Sequence, residues 1–174
     1  MRFTLYSVAR RNRVIAVVLS ETLMIVRTGI TSFYWRKKLP EFPFDDFKRI
    51  VYACAARLDF LVTDIHERDI TPNFHDAILN GNGERVHVLG HSNFPIFAFA
   101  EPREEYSCEL VFRDMDSVSN LLEEMFPNVT VAKLDELSRQ ITDYDLSQLD
   151  RAELEQVKYW KPATIGQLAF NWWD

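Results

Sequence analysis

Arg85-Val-His-Val-Leu-Gly-His-Ser-Asn-Phe-Pro-Ile-Phe-Ala-Phe-Ala100 decides how this chain folds. Arg85–Leu89 and Phe94–Ala100 are apolar runs of strand length, rich in β-branched and aromatic residues. Gly90-His-Ser-Asn93 between them has turn chemistry, so the two runs read as paired strands. Upstream, Phe47, Ile50, Val51, Cys54 and Leu58 stand at i, i+3, i+4, i+7 and i+11. That spacing is one continuous face of an amphipathic helix, announced by Pro43 and Asp45. A helix with a single apolar face beside paired strands predicts helices laid on a sheet.

Working outward, Phe60–Thr63 reads as a short strand. Thr71-Pro72 has the form of an N-cap followed by proline at the first helical position, and it predicts a short helix ending at Asn80-Gly81. Towards the N-terminus, Phe3–Val8 alternates as a strand does. Val14–Leu19 and Thr22–Val26 read as a hairpin or, alternatively, a helix, and Gly29–Pro43 reads as a loop holding Tyr34, Trp35 and Phe42. Downstream, Cys108–Phe112 reads as a strand. Asp114 is placed to cap a helix with the apolar face Val118, Leu121, Leu122 and Met125, ended by Pro127. Val129–Val131 suggests another strand, residues 135–147 a loop or weak helix, and Leu149–Val157 a helix. A last helix starts at Thr164, with Gln167 completing a capping box and Ile165, Leu168, Ala169 and Trp172 as its buried stripe. Strands and helices do not alternate strictly. The expected fold is therefore a single α+β domain over residues 1–174, a mostly antiparallel sheet with helices packed on it.

Of 174 residues 47 % are hydrophobic and 13 are Phe, which is ample for a buried core. The net charge of −6 argues against a protein that chiefly binds nucleic acid, because phosphate contacts need a basic surface. That total conceals an asymmetry: residues 1–38 carry eight bases against one acid, whereas residues 101–155 carry 15 acids against five bases. The longest apolar stretch, Val14–Leu19, is far short of the ~20 residues that span a bilayer, so no membrane segment is expected. Arg10, Arg11 and Arg13 stand where a signal peptide would have its apolar region. Cys54 and Cys108 each sit in an apolar pattern and read as small buried hydrophobes rather than a disulfide framework. A cytoplasmic location follows as the expectation.

No nucleophile elbow, P-loop or dinucleotide fingerprint is present, and neither cysteine has the electropositive setting of a reactive thiol. The densest set of metal-ligating types is Asp64, His66, Glu67 and Asp69, followed by His75 and Asp76. Imidazole and carboxylate together suit zinc or another divalent metal, and on a strand Asp64 and His66 share a face. The spacing matches no specific zinc pattern, and His87 and His91 read as half-exposed strand residues. A small metal-dependent hydrolase using residues 64–91 is one alternative. A structural or homodimeric subunit docking through the apolar Ile30–Phe44 loop is another. No catalytic residue, metal ligand or cofactor is assigned.

The acidic stretch offers more. Glu101, Glu104, Glu105, Asp114, Asp116, Glu123, Glu124, Asp143 and Asp145 can meet the lysines and arginines of a basic protein partner. Complementary charge of that kind speeds association and fixes register. Tyr106 and Tyr144 are the candidate aromatic anchors, since interface hot spots favour tyrosine.

The chain closes on Trp160-Lys-Pro162-Ala-Thr164-Ile-Gly166-Gln-Leu-Ala-Phe170-Asn171-Trp-Trp173-Asp174. Those 15 residues follow the pattern W-x-P-x-T-x-G-x-x-x-F-N-x-W-D. The pattern resembles the ending of immunity-type proteins of bacterial polymorphic or contact-dependent toxin systems. The resemblance implies a non-enzymatic cytoplasmic protein that binds and neutralises a cognate toxin domain. It carries over no toxin-contact residue.

Overall fold

Asn82 and Gly83 both take positive φ, 54° and 77°, and reverse the chain in two residues between Phe74–Gly81 (β2) and Glu84–His91 (β3). That is the mirror-image turn whose twist suits a hairpin, and it pins the register Gly81↔Glu84 through Phe74↔His91. The computed structural model describes residues 25–34, 38–103 and 107–174. The strand expected at Phe3–Val8, the hairpin arms before Ile25, and Trp35 lie outside the described residues.

Leu61–His66 (β1) pairs antiparallel with β2, and Ile96–Ala100 (β4) pairs antiparallel with β3. On the far side of β4, Phe112–Arg113 (β5) runs antiparallel to its end and Thr130–Val131 (β6) parallel to its start. The sheet order is β1-β2-β3-β4-β5, with β6 beside β4. The helices are Phe44–Arg57 (α1), Asp116–Met125 (α2), Leu134–Ser138 (α3), Asp143–Ser147 (α4), Arg151–Trp160 (α5) and Ile165–Ala169 (α6). The expected α+β domain, a mostly antiparallel sheet with helices packed on it, is what the chain forms.

Each face of the sheet has its own core. On one face Ala77, Leu79, Val86, Val88, Phe97 and Phe99 meet Phe47, Ile50, Val51 and Cys54 of α1 and Val118 and Leu122 of α2. On the other, Phe74, Leu89, Ile96 and Ala98 meet Ile25, Val26 and Ile30 and the C-terminal residues Leu137, Leu149, Ile165, Leu168 and Phe170.

Several expectations fall here. No helix forms over residues 71–81. β2 is central and covered on both faces, so the sequence lacks the alternation of a half-exposed strand, and Phe74, Ala77 and Ile78 mimic helical spacing. Thr71-Pro72 is a cis peptide bond leading into this strand rather than a helix start. The strand expected at Cys108–Phe112 shrinks to Phe112–Arg113, and Cys108 is exposed, whereas Cys54 is buried as expected. Asp114 does not cap α2: Met115 holds that position, and the Asp114 carboxylate accepts from the Leu134 N–H at 2.9 Å. Thr164 does cap the last helix, but Gln167 reaches one residue further back, accepting from the Ala163 N–H at 2.7 Å. Trp172 lies beyond that helix, half-buried edge-on to Phe74. Ile30 and Phe42, offered as a dimer surface, are buried within their own chain.

Candidate functional site

A cleft of about 370 Å³ opens at one end of the hairpin, lined by Glu41 and Phe42 on one wall and Glu67, Arg68, Asp69 and Ile70 on the other. His75, on the α1 face of β2, forms its floor with Ser92. The His75 side chain lies against the rings of Phe44 and Phe47, at centroid distances of 5.2 and 5.3 Å. Its Nδ1 accepts from the Arg68 backbone N–H at 3.1 Å, so the proton must sit on Nε2, which donates to the Phe42 carbonyl at 3.1 Å. Burial holds the ring below the ordinary imidazole range, against the pull of the Phe42 carbonyl and of Glu67.

On the opposite face of the sheet, Asp76 and His87 sit diagonally across β2 and β3. The Asp76 carboxylate accepts from His87 Nδ1, with both oxygens at 2.9 Å. Arg103 reaches in from the connection after β4, giving Nη2 to Asp76 at 2.9 Å and Nη1 to the Ser107 carbonyl at 2.8 Å. Its guanidinium carbon stands 5.1 Å from the centre of the Trp172 ring. Asp76 and His87 are both buried, so this cluster fastens a connecting loop and the C-terminal tail to the sheet and offers solvent little surface.

The sequence cluster of metal-ligating types is thereby dispersed. Asp64 and His66 form an exposed pair at 3.0 Å, Asp69 edges the cleft, and His75 and Asp76 point to opposite faces. His87 and His91, expected half-exposed, are buried. His91 accepts from the Asn93 N–H on Nδ1 at 3.0 Å and donates from Nε2 to the Ile30 carbonyl at 2.7 Å, and its burial lowers the ring to about 4. Among the described residues no group of three His, Cys, Asp or Glu side chains comes together to hold a metal ion. Burial pushes the Cys54 thiol up to about 11, which removes it as a thiolate nucleophile at neutral pH.

The candidate acids separate into three kinds. Asp114, Asp116, Glu123 and Glu124 are exposed on α2 and its approach, and Asp143 and Tyr144 on α4. Helical spacing puts Asp116, Asn120, Glu123 and Glu124 on one side of α2, opposite Val118 and Leu122. Lys133 is 3.9 Å from Asp116. Glu101 is half-buried and faces Arg113 at 3.4 Å, while Glu104, Glu105 and Tyr106 lie outside the described residues. Asp145 is a correction: it is buried, held by both Nη atoms of Arg139 at 2.8 Å and by Thr142, so it faces no partner. That pairing holds its carboxyl well below the usual carboxylate range. Glu136 and Glu153, from the same acidic stretch, also turn inward and accept from the Ile25 and Thr31 backbone.

Compared with family models, with curated proteins and with solved structures, the chain matches none of them. Most fixed positions of the C-terminal pattern have a packing role. Trp160 stacks parallel to Trp173, with 4° between the planes and 6.4 Å between centroids. Thr164 caps α6, and a Cβ on Gly166 would overlap the Phe112 ring. Phe170 is fully buried against Phe74 and His91. Asn171 exchanges backbone bonds with Asn73: its N–H donates to Asn73 Oδ1 at 2.9 Å and its carbonyl accepts from the Asn73 N–H at 3.0 Å. The pattern describes how the tail is sealed to β2. Asn73 was missed in the sequence, where its only signal is its place beside Pro72; Arg103 carried no signal beyond its charge.

Proposed function

We propose that this chain is a non-enzymatic binding protein that neutralises a cognate bacterial toxin in the cytoplasm by docking a basic protein surface. The observation that carries the reading is the solvent side of α2, where Asp116, Glu123 and Glu124 stand together without an apolar residue between them. Asp114 continues the acidic surface towards Lys133, whereas Asp143 and Tyr144 stand on the C-terminal helices that pack on the other face of the sheet. Carboxylates so placed attract a cationic active site over the range of the protein's field and lose that attraction in salt. The C-terminal resemblance supplies the class of partner. Among the described residues no helix is long and apolar enough to cross a membrane, which accords with an encounter away from one.

The test is co-expression with the product of the adjacent gene. Growth rescue by the intact chain is expected, with a purified complex whose association slows as salt rises. Asp116→Asn, Glu123→Gln and Glu124→Gln combined should slow association by about tenfold or more while leaving the fold intact. A harmless neighbouring product, or association untouched by the triple variant and by salt, overturns the reading.

A further inference from the structure

We propose that His75 is an acid-released clasp, whose neutral ring ties the two walls of the cleft together and whose protonation lets them part. The geometry is specific. One ring nitrogen is bonded to the backbone of the wall before α1, at the Phe42 carbonyl, and the other to the opposite wall, at the Arg68 N–H. No other hydrogen bond between those two walls is present among the described residues: Phe42 N–H goes to the Ser92 carbonyl instead. A second proton on the ring would place an N–H donor at Nδ1 directly against the Arg68 N–H, so the charged imidazole cannot keep both bonds. Two donors face to face in a buried site lose the bond and leave both groups unsatisfied.

The surroundings favour a ring that stays neutral until the medium turns acidic. Glu41 from the wall before α1 and Glu67 from the opposite wall favour the charged form; Arg68 beside it opposes that form. His91 of β3 stays neutral through mild acid and adds no charge. α1 presents the Phe44 and Phe47 rings, with Lys48 over the Phe44 ring at 4.7 Å. Burial is the largest of these influences, and it places the clasp's release below the ordinary imidazole range. Opening exposes the ring to water, which stabilises its charged form, so the open state gains a proton that the closed state excludes.

Amide hydrogen exchange followed by NMR on the full chain between pH 7.5 and 5 tests this. Rates are divided by the intrinsic rate at each pH. The Arg68 and Phe42 amides should accelerate by up to about tenfold per pH unit below about pH 6.5, because the open state takes up one proton there. The Val88 amide, in the middle of β3, should lag behind them. His75→Gln, which cannot titrate, should flatten the Arg68 and Phe42 profiles. Parallel acceleration of Arg68 and Val88, a flat Arg68 profile in the unaltered chain, or the same acceleration in His75→Gln each overturns the clasp. If His75→Gln does not fold, the ring nitrogens of His75 decide in the unaltered chain. The Nε2–H tautomer at pH 7.5, with the ring titrating below the ordinary imidazole range, supports the clasp; the Nδ1–H tautomer, or a ring that titrates within or above that range, overturns it.

Discussion

Where α1 crosses the sheet, Phe47 lies 5.7 Å from the Phe97 ring and fills the space that Gly90 leaves open by having no side chain. The opposite face has an apolar core of its own and adds buried polar contacts to it. Glu153 is fully buried and accepts from the Thr31 N–H and hydroxyl, His91 bridges Ile30 and Asn93, and Asn73 holds Asn171 and Ala169. Apolar packing is insensitive to direction and rewards area and fit; buried polar bonds reward geometry and penalise any lost partner. The packing under α1 can therefore be loosened gradually, apart from the His75 clasp at its edge, whereas the other face is keyed throughout to particular atoms.

The largest effect is expected on the apolar face. Phe47→Ala should cost about 3–5 kcal/mol in urea unfolding, from lost burial and the cavity left behind. Gly90→Ala in the intact chain forces a methyl into the Phe47 ring and should cost about 1–3 kcal/mol. In the Phe47→Ala background the same methyl enters the cavity, so the second cost should vanish or change sign. Additive costs would mean that Gly90 and Phe47 are not packed as described.

The polar face should also lose stability in acid. His91 is held neutral at about 4 in the folded chain, below the ordinary value near 6.5 of an unfolded histidine. Between those values the unfolded chain binds a proton that the folded chain does not, so stability falls as pH falls from about 6.5 towards 4. The loss attributable to His91 is on the order of 3 kcal/mol across that window. Urea unfolding at pH 7 and 4.5 should show a shallower dependence for His91→Gln than for the unaltered chain; equal slopes would exclude His91 as the source. Asp145, with its carboxyl held low by Arg139, contributes stability that persists through this window and is lost only in stronger acid.

The same division decides what was legible in the sequence. Phe47, Ile50, Val51 and Cys54 announced the apolar face because a one-sided helix repeats every few residues, and the Arg85–Ala100 pair announced the sheet. β2 was lost because a strand covered on both faces has no alternation to read, although Asn82-Gly83 was on view as the turn that would have restored it. The polar face is stitched across separations of 98 residues, Asn73 to Asn171, and 122, Thr31 to Glu153, and no local pattern encodes such pairs. Charge counting grouped Asp145 with the docking acids because a count cannot tell an inward carboxylate from an outward one. Thr142-x-x-Asp145 and Asp150-x-x-Glu153 nevertheless carry the spacing of capping boxes, and both boxes form. That spacing is the signal that separates these inward acids from Asp116, Glu123 and Glu124.

Glu153→Gln probes this last distinction with the smallest change of shape. The carboxylate uses one oxygen for Thr31 and the other for the Asp150 N–H at 3.0 Å. An amide can keep the Thr31 bonds through its oxygen but must then turn an NH₂ towards the Asp150 N–H, leaving two donors opposed. A loss of about 1–3 kcal/mol is expected, the usual cost of leaving a buried donor unsatisfied. Glu123→Gln, on the solvent side of α2, should change stability by less than about 0.5 kcal/mol, as surface substitutions generally do. Equal effects of the two variants would erase the line between the acids that hold the fold and the acids left for a partner.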